Sequence, residues 1–187
     1  AVLVVEHLLF GRLRLVAKLS DSTINDVVLA MSSGALRSYL EDQNALPAEP
    51  LIAMVPVSLK SQREAATGNN IGVLMCNLGT HLCEPADRLE TIRTSMREGK
   101  EAYGSMTATQ ILAMSALGAA PIGASMLFGH NSRVRPPFNL IISNVPGPSS
   151  PLYWNGARLD AIYPLSVPVG GQGLDITCTS NDAIISF

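Results

Sequence analysis

Charged side chains are scarce in this sequence, and so are the residue types that usually announce a catalytic or metal site. Asp, Glu, Lys and Arg supply 15% of the 187 residues and hydrophobic residues 47%, a greasier balance than a typical solvated domain has. Some of that apolar surface is expected to be covered by something other than the chain itself. A net charge of -2 with only 5% aromatic residues leaves no basic stripe with stacking rings, which excludes the usual nucleic-acid binders. There are three cysteines, Cys76, Cys83 and Cys178, without CxxC spacing or flanking histidine pairs. No zinc site or disulfide framework follows from that pattern, and buried free thiols are expected. No basic, apolar and cleavage-site series opens the chain, so a cytoplasmic setting is expected.

Self-sufficient chemistry is absent too. A nucleophile needs a base and a base needs an orienting partner, yet the sequence has no GxSxG elbow, no HExxH and no Walker loop. Gly170-Gly171-Gln172-Gly173 lacks the helix pattern of a dinucleotide site and reads as a turn. His7, His81 and His130 stand apart from one another and from any aspartate four residues on. Surface or capped histidines are the expectation.

What is present reads as one globular unit. Val2, Val5, Leu9, Leu13 and Val16 recur at helical spacing from Ala1 to Lys18, and residues 1–20 are set apart as a lead-in to a domain over 21–187. Ser22 and Thr23 offer hydroxyl caps, with Asp26 three residues after Thr23 and a stripe of Ile24, Val28, Met31, Ala35 and Tyr39. That is a capped amphipathic helix. Leu51 to Val55 reads as a strand covered on both faces, Ser61 to Thr67 as a loop, and Ile71 to Leu78 as a second strand. Pro85 opens a helix carrying Leu89, Ile92 and Met96.

From Gly104 to Gly129 no residue is charged, but Gly118, Pro121 and Gly123 interrupt the run. A buried or interfacial helix pair fits better than a membrane span. Leu112, Met114, Met126 and Leu127 are its candidates for lipid contact. Phe138 to Ser143 reads as a strand, Asn155-Gly156 as a hairpin turn, and Leu174 to Ser180 with Ala183 to Phe187 as a closing pair. The mixture is α/β.

Three polar groups in apolar surroundings need hydrogen-bond partners to be tolerated. Asn25-Asp26 is either a helix cap or part of a site. Val55-Pro56-Val57-Ser58-Leu59-Lys60 holds a proline that marks an edge or exit of a strand. Ser143-Asn144-Val145-Pro146-Gly147-Pro148 is either a rigid turn or the polar wall of a pocket.

Taken in this order, Asn25-Asp26-Val27-Val28-Leu29-Ala30, Gly34-Ala35-Leu36-Arg37, Val55 to Lys60, Pro85 to Leu89, Ile142 to Pro148 and Gly156-Ala157-Arg158-Leu159 form a series. It resembles the C-terminal domain of the bacterial wax ester synthase/diacylglycerol acyltransferase family, with Lys60 where arginine is usual. The resemblance implies the C-terminal half of a CoA-dependent acyltransferase fold of the chloramphenicol-acetyltransferase type, a mixed sheet flanked by helices.

The same resemblance implies acyl-CoA as a substrate, with no bound cofactor and no metal, and a fatty alcohol or diacylglycerol as acceptor. It places the HHxxxDG catalytic histidine in an N-terminal half that is not in this sequence, so no residue here is expected to act as general base. That half is the implied partner. Asn25 becomes a positioning or donor amide and Asp26 its helix-capping anchor. Ser143 and Asn144 become substrate-binding residues, and Lys60 a weaker candidate for the CoA phosphates. The competing reading is a non-catalytic lipid- or partner-binding module of the same fold, with peripheral contact to membranes or lipid droplets in either case.

Overall fold

A computed structural model of the chain describes residues 4–58, 71–107, 109–111, 113, 114, 116, 117, 120, 137–166 and 173–187. Lys60, the 61–70 loop, Leu112, Met126, Leu127, His130 and the glycines at 170 and 171 lie outside the described residues. The elements run β1 (His7–Leu9), α1 (Phe10–Leu19), α2 (Ile24–Asp42), β2 (Ile52–Ser58), β3 (Ile71–Asn77), α3 (Pro85–Gly104) and β4 (Leu140–Val145). A small hairpin of β5 (Tyr153–Trp154) and β6 (Ala157–Arg158) follows, then β7 (Asp175–Asn181) and β8 (Ile184–Ser186).

Six strands form one sheet in the order β1-β8-β7-β4-β2-β3. β4 lies parallel to both β2 and β7, while the other pairs are antiparallel. This is the mixed α/β sheet with helices that the sequence led us to expect. Helices α2 and α3 pack on each other, α2 on β4 and α3 on β3. The core between helices and sheet holds Val28 and Leu29 of α2, Ala53 and Val55 of β2, Ile92 and Met96 of α3, and Ile142 and Cys178.

α3 also closes an open sheet edge. β3 is the outermost strand, and an exposed edge invites pairing with another chain. The Tyr103 hydroxyl binds both the N–H and the carbonyl of Val73, and the Ser95 hydroxyl accepts from the Asn77 N–H at 3.1 Å. Two residues of one helix thus satisfy strand groups that β2 does not reach.

Several expectations need correcting. The single helix over Ala1 to Lys18 is instead a strand and a helix: His7–Leu9 pair antiparallel with Ile184–Ser186, and helix begins only at Phe10. Three apolar or neutral residues satisfy either periodicity, and here the sheet edge claimed them. β2 is not covered on both faces, since Ala53 and Val55 are buried while Ile52 and Met54 are only half-buried. Cys83 is exposed, unlike buried Cys76 and Cys178. In the uncharged stretch the described residues at 109–111, 113, 114, 116 and 117 are helical. Ile111 packs against the core, whereas Met114 and Leu117 face outward.

Candidate functional site

The site is built where parallel strands part. The β2–β4 ladder consists of Ala53–Leu140 and Met54–Ile141, yet β4 stays paired with β7 as far as Val145–Thr179, and β2 stays paired with β3 to Ser58–Ile71. Past Met54 the sheet is therefore split between the carboxyl ends of β2 and β4. In open α/β sheets such a split at the strand carboxyl ends is where ligands bind. Pro56 contributes to it. The Ile52 carbonyl accepts from the Asn139 N–H at 2.8 Å, so alternation turns Ile52, Met54 and Pro56 toward β4. A proline there has no N–H to continue the ladder. Of the two readings of this proline, edge or exit, the edge holds: β2 runs on to Ser58 paired with β3, while its pairing with β4 ends at Met54.

Asn144 stands on the other side of the split. Leu140 and Ile142 are buried toward the helices, and the two-residue period of a strand puts Asn144 on that same face. Its carboxamide Oδ1 accepts from the Cys178 thiol at 3.5 Å, across the parallel β4–β7 pair. The Ile141 N–H points to β7, bonding the Leu174 carbonyl, so the alternate main-chain amides of Ile142 and Asn144 point toward β2. Ser143 is different. Its side chain falls on the opposite face, in register with Thr177, where Asp175, Thr177 and Ser166 hydrogen-bond one another. The two adjacent residues do not share one wall.

Helix α2 brings Asn25 to the same end. Ser33 Oγ donates to the Leu78 carbonyl at 2.6 Å and Arg37 Nη1 to the Thr80 carbonyl at 2.8 Å. These bonds fix the helix direction along β3, so its N-terminus lies toward the β3 start and the carboxyl ends of β2 and β4. The terminus itself is a capping box. Thr23 Oγ1 accepts from the Asp26 N–H at 3.2 Å, while Asp26 Oδ2 accepts from the Thr23 N–H at 2.8 Å and the Thr23 hydroxyl at 2.7 Å. Asp26 is buried, and its Oδ1 has no partner among the described residues. Asn25 is half-buried at the second helical position, and its side chain makes no hydrogen bond among the described residues. A carboxamide beside a helix N-terminus is a group able to donate to an acceptor oxygen.

Cys178 is the buried free thiol expected of it, but its place beside Asn144 has no counterpart in motif spacing and comes only from the parallel register. Burial pushes its thiol from the ordinary 9.0 up to about 12, with a hydrogen bond to backbone opposing. It is a neutral donor. Cys76 is likewise pushed to about 12 by burial, against a hydrogen bond with Ser95 and with a smaller push from the Asp26 carboxylate. His7, exposed on β1, meets Ser186 Oγ at 3.0 Å and the ring of Tyr163, and is not part of the split. A groove of about 530 Å³ lies elsewhere, lined by Asn77, Asp87, Glu90, Thr91, Thr94, Ser95 and Glu98. Its carboxylates repel phosphate-bearing substrates, so it is a poor acyl-CoA site. Among the described residues no cluster of metal-ligand type occurs.

The family model described as the WS/DGAT C-terminal domain matches residues 67–187. The chain belongs to the wax ester synthase/diacylglycerol acyltransferase family. It is 56% identical over 182 residues to a Mycobacterium bovis protein named as a candidate diacylglycerol O-acyltransferase, and 50% identical over 177 to the Mycobacterium tuberculosis protein named as probable diacylglycerol O-acyltransferase tgs2. Each alignment takes in 94% of this chain but only 36% and 39% of the relative. The wax ester synthase/diacylglycerol acyltransferase of Marinobacter aquaeolei VT8 superposes with a TM-score of 0.81 at 38% identity, over 98% of this chain and 41% of that one. The first condensation domain of the CDA synthetase, at 15% identity and a TM-score of 0.51, shares the fold over 98% of this chain and 39% of its own. The chain thus spans about two fifths of the relatives' length, and the family's C-terminal domain model accounts for most of it.

Proposed function

We propose that the complete protein is an acyl-CoA:alcohol or diacylglycerol O-acyltransferase making wax esters or triacylglycerol, and that this chain supplies the acceptor-side wall of its active site. The observation that carries this reading is the close superposition on the Marinobacter enzyme over nearly the whole chain. In the reaction the acceptor hydroxyl attacks the thioester carbonyl, a histidine of the N-terminal half takes its proton, and the CoA thiolate leaves and is protonated in turn. The tetrahedral oxyanion needs donors already in place. The Asn25 carboxamide and the side-chain and main-chain amides of Asn144 are the donors beside the split that this reading assigns to it, with Asp26 holding the helix turn that carries Asn25. Ser143, on the far face, would reach a substrate only around the end of β4. Lys60 is kept for the CoA phosphates.

Peripheral contact with membranes or lipid droplets is part of this reading, since acceptor and product are both lipids. No helix among the described residues is long and apolar enough to cross a membrane. The test is ester formation from radiolabelled acyl-CoA with a fatty alcohol and with diacylglycerol. The full-length protein should form ester and this chain alone should not. Asn25→Ala in the full-length protein should lower turnover by more than about ten-fold at unchanged Tm. No transfer by the full-length protein would leave a binding module of this fold, and ester formation by the chain alone would refute the division of labour.

A further inference from the structure

α1 is apolar on two opposite sides. At 100° per residue, Leu13 and Ala17 share the side that is buried against the core. Leu15 and Leu19, one turn apart on the other side, are 58% and 79% exposed. A surface helix normally sets polar residues opposite its buried stripe. Here the outer side is a leucine ridge, widened by exposed Val16 and by exposed Leu9 just before the helix.

The cations are arranged around that ridge. Arg12 lies beside Leu19 on one flank and Lys18 on the other, while the Arg14 guanidinium sits over the Phe10 ring, 4.7 Å from its centroid; all three side chains are exposed. The ten residues of α1 contain no acidic side chain, in a chain whose 15 acidic residues outnumber its 13 Lys and Arg. Beyond the helix, exposed Asp21 turns aside to Arg93, 3.6 Å away, and Glu6 lies in the preceding strand region. Apolar side chains flanked on both sides by long cations match a surface that is greasy in depth and anionic at its rim. Lys and Arg stems lie along such a boundary while their heads stay at the phosphates, and leucines between them reach the acyl region. A protein partner would need a groove with acidic walls on both sides.

We propose that α1 seats the protein on an anionic phospholipid surface, with Leu15 and Leu19 inserted at the headgroup boundary and Arg12, Arg14 and Lys18 on the phosphates. The proposal rests on the peripheral-lipid part of the reading above and names its surface; it does not depend on acyl transfer.

The test is co-sedimentation of the full-length protein with vesicles of phosphatidylcholine alone or mixed with phosphatidylglycerol. Binding should require phosphatidylglycerol and weaken as salt is raised. Leu15→Ser/Leu19→Ser should weaken it by about ten-fold or more at unchanged Tm. Arg12→Gln/Arg14→Gln/Lys18→Gln should abolish the preference for phosphatidylglycerol. Absence of wild-type binding, or unchanged binding by the leucine variant, overturns the proposal. So does a leucine variant whose Tm falls by several degrees while the triple glutamine variant binds as wild type, because the ridge then belongs to a protein contact. Acyl transfer measured on the same preparations separates the two readings: vesicle binding without transfer sinks the enzyme and spares this surface, and transfer without binding does the reverse.

Discussion

The Cys178 thiol donates to the Asn144 carboxamide oxygen at 3.5 Å across the parallel pair of β7 and β4. With Oδ1 held on sulfur, the two N–H donors of the amide are turned the other way, and the neutral thiol can hold that orientation through the whole physiological pH range. Asn144→Ala in the full-length protein should therefore lower turnover by more than about ten-fold, the loss typical of one oriented donor. Cys178→Ala should cost less and act through Asn144: the double variant should be no slower than Asn144→Ala alone. Additive losses in steady-state ester formation would show that the thiol and the amide act separately.

The buried thiols make a second prediction, about pH. Cys76 and Cys178 have folded pKa values near 12 against an ordinary 9.0. Below 9 both folded and unfolded chains carry the protons, so the stability linked to them is fully present. Between 9 and 12 the unfolded chain loses protons that the folded chain keeps, and stability falls as pH rises, by about 1.4 kcal/mol per pH unit for each thiol. Urea midpoints measured across that window should drop more steeply for the wild type than for Cys76→Ala/Cys178→Ala. A thiol reagent at pH 8 should label Cys83, which is exposed, and leave the other two unmodified until the protein unfolds.

Which parts of this architecture were legible in the sequence follows from how local each signal is. The box of Thr23 and Asp26 needs only two residues three apart, and Asn155-Gly156 needs only two adjacent ones with left-handed backbone, φ 49 and 86. Both could be read directly. β1 could not, because the partner that makes His7 a strand residue is Ser186, 179 positions away. Ser143 and Asn144 read as one polar wall since they adjoin in sequence, but a strand sends neighbours to opposite faces. Their division could have been inferred from buried Ile142 once β4 was placed. The split between β2 and β4 was beyond reach: Pro56 signals that a ladder stops, not which ladder.

Thr23 is the third prediction. Its hydroxyl satisfies the Asp26 N–H and donates to the buried Asp26 carboxylate, whose other oxygen has no partner among the described residues. Thr23→Ala should destabilise the fold by about 1–2 kcal/mol, seen as a Tm lower by roughly 3–6 °C in a chain of this size. Thr23→Ser keeps the hydroxyl and should recover most of the loss. Equal losses for both substitutions would assign the effect to the methyl group and its packing rather than to the cap.

Gly147 decides how the chain leaves the site. β4 ends at Val145, and two residues later the Gly147 N–H donates to Ser180 Oγ at 3.0 Å while the Pro148 carbonyl accepts from the Asp182 N–H at 2.9 Å. These bonds pin the exit of β4 against the turn between β7 and β8. A Cβ on Gly147 would sit 1.7 Å from the Ser180 carbonyl oxygen, a backbone atom that cannot swing aside as a side chain could. The requirement is closeness rather than unusual φ, because the backbone there is not in the left-handed region. Gly147→Ala should accordingly cost about 3 kcal/mol or prevent folding, whereas Gly156→Ala, at the open tip of the hairpin with nothing near its Cβ, should cost only about 1 kcal/mol through its positive φ. Thermal denaturation of the two variants side by side measures the difference. If they lose the same stability, the close approach of Gly147 to β7 is not what fixes the end of β4, and the Asn144 amide would have to be held in place by the Cys178 thiol alone.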